Sequence, residues 1–272
     1  MEDYLGTETI IHGRQWEIWH GGYFSDPRIA EPLVETVRGI LLKSPADLVV
    51  DLGGGTGFLL SQLRSRGGGA DATLVNVDCS EAQLALSDEQ DISSARTSIG
   101  SFKRRDVAPG DNRVCFMMRS ALHYFGEDGL SPLLRYLRDQ AKTGEYFVHQ
   151  TASFDNEREA ACLNALYRLM RTHKWYPTAD DLRHRLTDAG WRVTETTPAP
   201  SLLLTSHDLG RRYALDADDI ARIRDLLARE FGEMDGVFRI LPSGFQAKLH
   251  YRIYTCVAAE KSGRSREKRN IQ

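Results

Sequence analysis

The sequence predicts an α/β protein with a doubly wound, mostly parallel sheet of seven strands. Three observations predict this class. Short apolar runs alternate with amphipathic helical segments along most of the 272 residues. The first run is followed by a glycine-rich turn and a helix, which is the opening of a β-α-β unit. The hydrophobic share of 41% is enough to form a substantial core.

The first β-α-β unit is the clearest part of the pattern. Residues 48–52 form an apolar run that is typical of a strand buried in a parallel sheet. Glycines dominate residues 53–57, and from Phe58 to Arg66 apolar side chains recur at helical spacing. Gly67 and the two glycines after it indicate where that helix ends.

The same alternation continues along the chain. Further strands are predicted at residues 72–77, 99–105, 114–118, 145–150, 191–196 and 251–259. Helices are predicted at residues 80–86, 129–142 and 178–189. Because strands separated by helices pair in parallel, these elements predict a sheet with helices on both faces.

Residues 46–260 are interpreted as one principal domain. Three segments depart from the alternation: an N-terminal helical lid or substrate segment at residues 1–45, and insertions at residues 152–177 and 202–247. Helices are predicted within them at residues 27–42 and 217–231. The apolar and aromatic content of these segments suits a lid over a ligand. The basic tail, residues 261–272, is expected to be disordered.

Charge and composition exclude several classes of protein. Thirty-five basic against 38 acidic side chains provide no cationic field for a nucleic acid. No apolar run is long enough to span a membrane and the start lacks a signal-peptide pattern, so we expect a cytoplasmic protein without a membrane partner. Four separated cysteines predict buried or half-buried free thiols and no metal site. The oligomeric state stays open, with a homodimer among the options.

Residues 51–57, Asp-Leu-Gly-Gly-Gly-Thr-Gly, carry the functional argument. They join a strand to a helix, the place where open α/β sheets bind ligands. A dinucleotide fingerprint would need glycine or alanine at position 58, where Phe58 stands, and no Gly-Lys-Ser/Thr follows for a phosphate loop. The pattern Asp-x-Gly-x-Gly-x-Gly, with Asp51, Gly53, Gly55 and Gly57 in register, resembles the class I S-adenosylmethionine-dependent methyltransferases.

This resemblance implies a Rossmann-like methyltransferase fold that binds S-adenosylmethionine and releases S-adenosylhomocysteine. Asp51 and the three glycines would surround the amino-acid end of the cofactor, and Asp78, at the end of the second strand, would bind the ribose hydroxyls. Asp106 and Val107 would flank the adenine. The expected cofactor contacts also include Cys79, Arg119 and Ser120. In the alternative interpretation, the three aspartates have only structural roles: Asp51 caps a turn, Asp78 caps the helix that begins at Ser80, and Asp106 is a turn residue.

Candidates for catalysis and acceptor binding lie at strand ends and in the lid segments. Residues 119–125, Arg-Ser-Ala-Leu-His-Tyr-Phe, look like the Leu-His-aromatic stretch of small-molecule methyltransferases. His123 is a candidate general base and His149 has a similar claim, although each could be a hydrogen-bonded structural residue. The candidate acceptor contacts are aromatic side chains that could equally serve only packing: Trp16, Trp19, Tyr23, Trp175 and Tyr176.

The predicted function is methyl transfer to a hydroxyl, amine or carbon of a hydrophobic or aromatic small molecule, as in natural product biosynthesis. Methyltransferases that act on nucleobase or amide nitrogen resemble one another in an Asn/Asp-Pro-Pro-Tyr/Phe motif after the fourth strand. Residues 119–122, Arg-Ser-Ala-Leu, occupy that place here. Two alternatives stay open: a cofactor-assisted cyclisation, decarboxylation or rearrangement on the same fold, and a binding module without catalysis.

Overall fold

The predicted seven-stranded sheet is confirmed by the computed structural model, which describes residues 19–87 and 92–260. The strands of the chain are β1 Leu48–Leu52, β2 Thr73–Asp78, β3 Ser93–Arg96, β4 Val114–Arg119, β5 Tyr146–Ala152, β6 Trp191–Pro198, β7 Leu202–Thr205, β8 Phe238–Leu241, β9 Gly244–Leu249 and β10 Tyr251–Ala258. Seven of them form the main sheet in the order β3-β2-β1-β4-β5-β10-β6. The first five pair in parallel, whereas β10 runs antiparallel to both of its neighbours.

Helices cover both faces of this sheet. The α-helices of the described residues are α1 Pro27–Lys43, α2 Phe58–Ser65, α3 Glu81–Ser87, α4 Arg104–Val107, α5 Gly126–Gln140, α6 Glu157–Leu169, α7 Ala179–Asp188, α8 Ser206–Tyr213 and α9 Ala217–Phe231. The last two, α8 and α9, pack on a smaller sheet and not on the main one. The start of α1 shows how the sequence determines where a helix begins. Asp26 accepts a hydrogen bond from the backbone N–H of Arg28. Pro27 is tolerated in the first turn because a backbone N–H there would have no partner within the helix.

The alternation of side chains along β1 divides the core between the two faces. Val49 packs on one face with Leu33 of α1 and Leu60 of α2. Val50 packs on the other face in a cluster that includes Leu134 of α5. All five residues of β1 are buried, as expected for the centre of a parallel sheet covered on both sides.

The order of the strands reverses beside β1, which lies between β2 and β4. In open α/β sheets this reversal leaves a crevice at the carboxyl ends of the two central strands. The loop after β1 and the residues after β4 therefore border the same crevice.

The third strand differs from its predicted position. It is Ser93–Arg96 rather than residues 99–105, where the chain forms a short 3₁₀ helix, Ile99–Ser101, and then α4. The physical reason is that β3 is an edge strand with largely exposed side chains, so its polar sequence lacks the apolar run that indicates a strand. Phe102, which lies within the predicted strand, is instead buried in the core beside α5.

The segment between β6 and β10 is not only helical. Strands β7, β9 and β8 form a small antiparallel sheet that packs with α9. The predicted helix at residues 217–231 is present as α9. This small sheet, α6 and part of the N-terminal segment share a third core that contains Phe24, Leu166, Ile223 and Phe245. Through this core, the N-terminal segment packs with the two insertions, at residues 152–177 and 202–247.

Cysteine exposure differs in one respect from the prediction. Cys115, Cys162 and Cys256 are buried free thiols, whereas Cys79 is exposed.

Across residues 19–87 and 92–260, no helix is both long and apolar enough to cross a membrane.

Candidate functional site

The loop between β1 and α2 requires glycine at several positions. Gly53, Gly55 and Gly57 have φ angles of +74°, +59° and +75°, in the left-handed region that favours glycine. At Gly54 the limit is space, since a Cβ atom would lie 2.4 Å from the Asn76 side-chain oxygen and 2.6 Å from Asp51 Oδ2. The four glycines bring the loop backbone against two polar side chains from the sheet.

Asp51 is buried at the end of β1. It is 0% exposed, and neither carboxylate oxygen has a hydrogen-bond partner among the described residues. Asn76, its register partner on β2, likewise has a buried oxygen without a partner there. Burial raises the pKa of Asp51 to about 7, against the lowering effect of Arg119. Unpaired buried oxygens of this kind are costly and are a feature of ligand sites.

Asp78 connects the two crossover loops. Its carboxylate accepts hydrogen bonds from the backbone N–H of Gly55 at 3.0 Å and from that of Ser80 at 2.8 Å. Burial raises its pKa, while these hydrogen bonds and one from Cys79 oppose the rise. The bond to Ser80 agrees with the helix-capping alternative, and the bond to Gly55 holds the glycine loop. Its predicted contact with a ribose stays a prediction.

Arg119 extends from the end of β4 beside Asp51. Its guanidinium lies between the rings of Phe24 and Phe58, at 5.4 and 5.6 Å from their centroids. Nη2 donates a hydrogen bond to the carbonyl of Phe24 at 2.6 Å. Nη1 is buried without a hydrogen-bond partner in the described part of the chain. An anionic and a cationic group, each with unused hydrogen-bonding capacity, therefore meet at the glycine loop.

Asp106 does not occupy its predicted place beside an adenine. The prediction assumed that residues 99–105 were the third strand, whereas Asp106 lies within α4 with its side chain 60% exposed and near Arg105. Val107 ends the same helix. The residue after β3 that approaches the glycine loop is Ile99, whose Cδ1 lies 3.0 Å from the position of a Cβ on Gly53. The choice of Asp106 therefore depended on a third strand that the structure places earlier in the chain.

Ser120 follows Arg119 at the crevice with a φ angle of +56°, which is uncommon for a residue other than glycine. Its hydroxyl shares a hydrogen bond of 2.6 Å with that of Tyr251, and its backbone N–H donates to the carbonyl of Gln150 at 2.8 Å. Such unusual backbone conformations are concentrated at functional sites. Ser120 and Tyr251 both line a small space beside the crevice.

We name this space the inner chamber. It lies between the main and small sheets and its free volume is about 10 Å³, about that of one water molecule. Its walls are formed by His20, Phe24, Ser120, His123, Tyr124, Tyr167, Lys174, Tyr176, Leu202, Arg212, Leu249 and Tyr251. Because this volume holds only about one water molecule, an acceptor can enter only if one of the walls moves.

His123 lies in the chamber wall and is 7% exposed. Its ring stacks on Tyr176 with the centroids 5.1 Å apart, and its carbonyl accepts a hydrogen bond from the backbone N–H of Trp175. The structure therefore brings together two of the candidate site residues, His123 and Tyr176. The role of His123 as a base stays a prediction.

His149 lies elsewhere. It is 0% exposed in the middle of β5, with its ring stacked between those of Phe147 and Tyr254. Nδ1 is 2.7 Å from the Thr151 hydroxyl, and burial lowers the pKa of His149 to about 3. The strand continues to Ala152, so His149 is not at its end. His149 is also not among the residues that line the inner chamber. This placement removes it as a candidate base.

The aromatic candidates divide into different groups. Trp175 and Tyr176 line a second, outer cavity of about 360 Å³ between α6 and α7, where the guanidinium of Arg185 lies 4.9 Å from the Trp175 ring. Tyr23 packs in the third core, stacked on Tyr251 and hydrogen-bonded to Pro200 and Gln150. Its predicted acceptor contact is thus replaced by packing. Trp16 and the side chain of Trp19 lie outside the described residues.

Several residues of the site had no predicted role. Gly54 and Asn76 have roles that only packing reveals, since neither belongs to the motif register. Lys174, Arg212 and Tyr251 line the inner chamber but come from segments that are far apart in the chain. The sequence offered one indication of these chamber residues, which is that Lys174 directly precedes the aromatic pair at residues 175–176.

Comparisons with known proteins place this geometry in a family. A family model described as a methyltransferase domain matches residues 28–196. A putative methyltransferase from Bacillus halodurans has a similar structure, with a TM-score of 0.64, 13% identity, and coverage of 83% of this chain and 98% of that one. The YcgJ protein from Bacillus subtilis also has a similar structure, with a TM-score of 0.62, 12% identity, and coverage of 87% of this chain and 100% of that one. No curated protein matches the sequence.

A third similar structure is described with ligands. It is 1,6-didemethyltoxoflavin-N1-methyltransferase from Burkholderia thailandensis, with bound 1,6-didemethyltoxoflavin and S-adenosylhomocysteine. Its TM-score is 0.56 at 12% identity, with coverage of 95% of this chain and 90% of that one. The matched domain spans more than half of the chain. The protein therefore belongs to the methyltransferase domain family, and the resemblance to class I S-adenosylmethionine-dependent methyltransferases is confirmed.

Proposed function

We propose that this methyltransferase transfers a methyl group from S-adenosylmethionine to an oxygen, nitrogen or carbon atom of a hydrophobic or aromatic small molecule. One observation carries the proposal. Among the described residues, neither the carboxylate of Asp51 nor Nη1 of Arg119 has a hydrogen-bond partner, and both groups lie at the glycine loop, next to an aromatic chamber.

The charged groups at the loop suit the amino-acid end of this cofactor. Asp51 would accept hydrogen bonds from its ammonium group, and Arg119 would donate to its carboxylate. The glycines leave room for close approach of the backbone, which a Cβ at Gly54 would prevent. Asp78, already fixed by Gly55 and Ser80, would contact the sugar hydroxyls.

The cofactor supplies a methyl group on a positively charged sulfur, which is a very good leaving group. The protein therefore has to orient the acceptor, exclude water and, for a hydroxyl acceptor, remove a proton. The aromatic and apolar walls of the inner chamber would exclude water around a bound acceptor. His123 is the group in the wall that would accept the proton, and its stacking on Tyr176 would fix the orientation of its ring.

The acceptor class rests on the character of the walls and on a structural relative. Four tyrosines, two leucines and a phenylalanine suit an aromatic or apolar body. The Burkholderia enzyme of similar fold is described with a bound small molecule and S-adenosylhomocysteine. Both features favour a metabolite over a macromolecule.

Calorimetry with S-adenosylhomocysteine tests the cofactor site. We expect Asp51→Ala and Asp78→Ala to weaken binding strongly, while Asp71→Ala, an exposed change, leaves it unaltered. Unchanged affinity in both variants would remove the site assignment. Methyl transfer itself is tested by incubating hydroxylated and aminated metabolites with labelled S-adenosylmethionine and measuring intact mass. A product without the added methyl mass would instead indicate a rearrangement.

A further inference from the structure

We infer that Asn76 is a positioning residue of the cofactor site, which holds the glycine loop and keeps the carboxylate of Asp51 available for the positively charged end of the cofactor. The inference rests on the proposed function, because it assumes that Asp51 binds the ammonium group of S-adenosylmethionine. The observations behind it are the hydrogen bond that Asn76 donates to the loop and the buried oxygen that it leaves beside Asp51.

Asn76 is a polar residue within a buried strand. It lies inside β2, and its side chain is 0% exposed. Because β2 pairs in parallel with β1, Asn76 stands directly opposite Asp51, and the two side chains share one face of the sheet. Buried parallel strands are usually continuous apolar runs, and an amide in such a place has lost its contacts with water. Its hydrogen bonds therefore show what it does.

The amide nitrogen of Asn76 holds the glycine loop. Nδ2 donates a hydrogen bond of 2.7 Å to the carbonyl of Gly55. Asp78, two residues further along β2 and on the same face, accepts a hydrogen bond from the backbone N–H of Gly55 at 3.0 Å. The carbonyl of Val77, between them, accepts one from the backbone N–H of Gly53 at 2.7 Å. The loop that follows β1 is thus fixed to β2, and Asn76 binds its Gly55 carbonyl.

The amide oxygen of Asn76 lies beside Asp51. A Cβ atom on Gly54 would be 2.4 Å from Asn76 Oδ1 and 2.6 Å from Asp51 Oδ2, so both oxygens lie next to the same point of the loop. Neither of them, nor Asp51 Oδ1, has a hydrogen-bond partner among the described residues. The bond from Nδ2 to Gly55 sets this orientation. An amide with its two ends exchanged would offer its nitrogen to the carboxylate and lose the loop.

This orientation leaves Asp51 without a donor from the neighbouring strand. Arg119 lies near enough to affect its charge but makes no hydrogen bond to it. Three buried acceptor oxygens that lack a donor from the described part of the chain make this side of the loop favourable for a positive charge. Because the amide is neutral, it adds an acceptor without adding a second negative charge to that of Asp51.

Two ligands separate the amino-acid end of the cofactor from the rest. S-adenosylhomocysteine carries that end, whereas 5′-methylthioadenosine keeps the adenosine and the sulfur but lacks it. Isothermal titration calorimetry on the full-length protein gives the affinity for each ligand. The ratio of the two affinities measures how much the amino-acid end contributes, and we expect the wild type to prefer S-adenosylhomocysteine.

Asn76→Leu keeps a branched side chain of similar size and removes both polar groups. We expect it to lower the affinity for S-adenosylhomocysteine about tenfold or more, and that for 5′-methylthioadenosine by less than about threefold, because Asp78 keeps its hydrogen bond to Ser80. Asn76→Ser, whose side chain is smaller, provides the test if the leucine variant does not fold. Leu74→Ala, a buried change on the same strand, is the control, which should lower the melting temperature without changing the ratio.

A double variant tests whether Asn76 acts through Asp51. Asp51→Ala alone should reduce the preference for S-adenosylhomocysteine, and its combination with Asn76→Leu should reduce that preference no further. Losses that add in the double variant would overturn the inference. An equal loss of affinity for both ligands in Asn76→Leu would also overturn it, since that result indicates a purely structural role, and so would an unchanged preference.

The proposed function fails in a different way. A wild-type protein that does not bind S-adenosylhomocysteine, or an Asp51→Ala variant that keeps the full preference, would contradict the assignment of the cofactor site and the inference with it. A preference that depends on Asp51 but not on Asn76 would contradict the inference alone.

Discussion

We predict that Asp51 destabilises the folded protein, although we also propose that it binds the cofactor. Its carboxyl has a pKa of about 7 in the folded protein against an ordinary value of 3.8, because it is fully buried without hydrogen bonds from the described residues. Each pKa unit corresponds to about 1.4 kcal/mol. Ionised Asp51 therefore costs about 4 kcal/mol of folding free energy.

The sign of the pH dependence follows from the direction of the shift. A folded-state pKa above the unfolded value means that the folded protein binds this proton more tightly. The penalty is absent below about pH 4, grows as the pH rises and is complete above about pH 7. Binding of a cationic group by Asp51 should show the opposite trend and strengthen as the pH rises through 7.

Asp51→Asn removes the charge but keeps the shape. At pH 8 we expect the variant to melt about 10 °C above the wild type, since 1 kcal/mol shifts the melting temperature of a chain of this size by about 2–4 °C. At pH 4 the difference should nearly disappear. Calorimetry at pH 8 should show that the more stable variant has lost affinity for S-adenosylhomocysteine. Asp71→Asn, at an exposed position, is the control.

An Asp51→Asn variant that is no more stable than the wild type at pH 8 would refute the argument from burial. A stabilised variant that still binds S-adenosylhomocysteine with full affinity would refute the binding role alone. The two measurements therefore separate the electrostatic reasoning from the functional assignment.

Three other predictions concern single contacts. Gly54→Ala should cost about 1–3 kcal/mol of stability and abolish binding of S-adenosylhomocysteine, because its Cβ overlaps two side chains, whereas Gly39→Ala, in open space on α1, should stabilise by up to about 1 kcal/mol. Equal melting temperatures for these two variants would contradict it. Glu145→Gln should cost about 1.5–3 kcal/mol by urea denaturation, since it removes the buried anion that lies 2.6 Å from the half-buried Arg104 guanidinium. His123→Ala should slow turnover by about 100-fold with unchanged affinity for S-adenosylhomocysteine, and a normal rate across the pH range would exclude a base.

Local patterns predicted most of the main sheet because burial on both faces leaves a strong signal. The runs at residues 48–52 and 114–118 are apolar since they lie in the middle of the sheet, and both strands were located to within a residue. The exposed edge strand β3 has no such constraint on its side chains, and its position was wrong. The error carried over to Asp106, which was chosen by its distance from the misplaced strand.

The candidate site shows the same division. The glycine register could be recognised because a left-handed backbone and close packing restrict positions 53–57 to very few residue types. The failed assignments, His149 and Tyr23, rested on residue type and strand end alone. Their burial depends on which side chains lie opposite, as with Tyr254 on β10, and this is not a local property.

The sequence by itself determined the alternation of strands and helices, the glycine loop and the carboxylates at the ends of the first two strands, since each follows from the periodicity or conformational limits of a short segment. Only the tertiary structure decided which side chains face one another. The approach of Arg119 to Asp51 depends on strand order, and the stacking of His123 on Tyr176 depends on how an insertion packs against the main sheet. Contacts between distant segments arise from how the whole chain buries its apolar surface, and no short stretch of sequence contains that information.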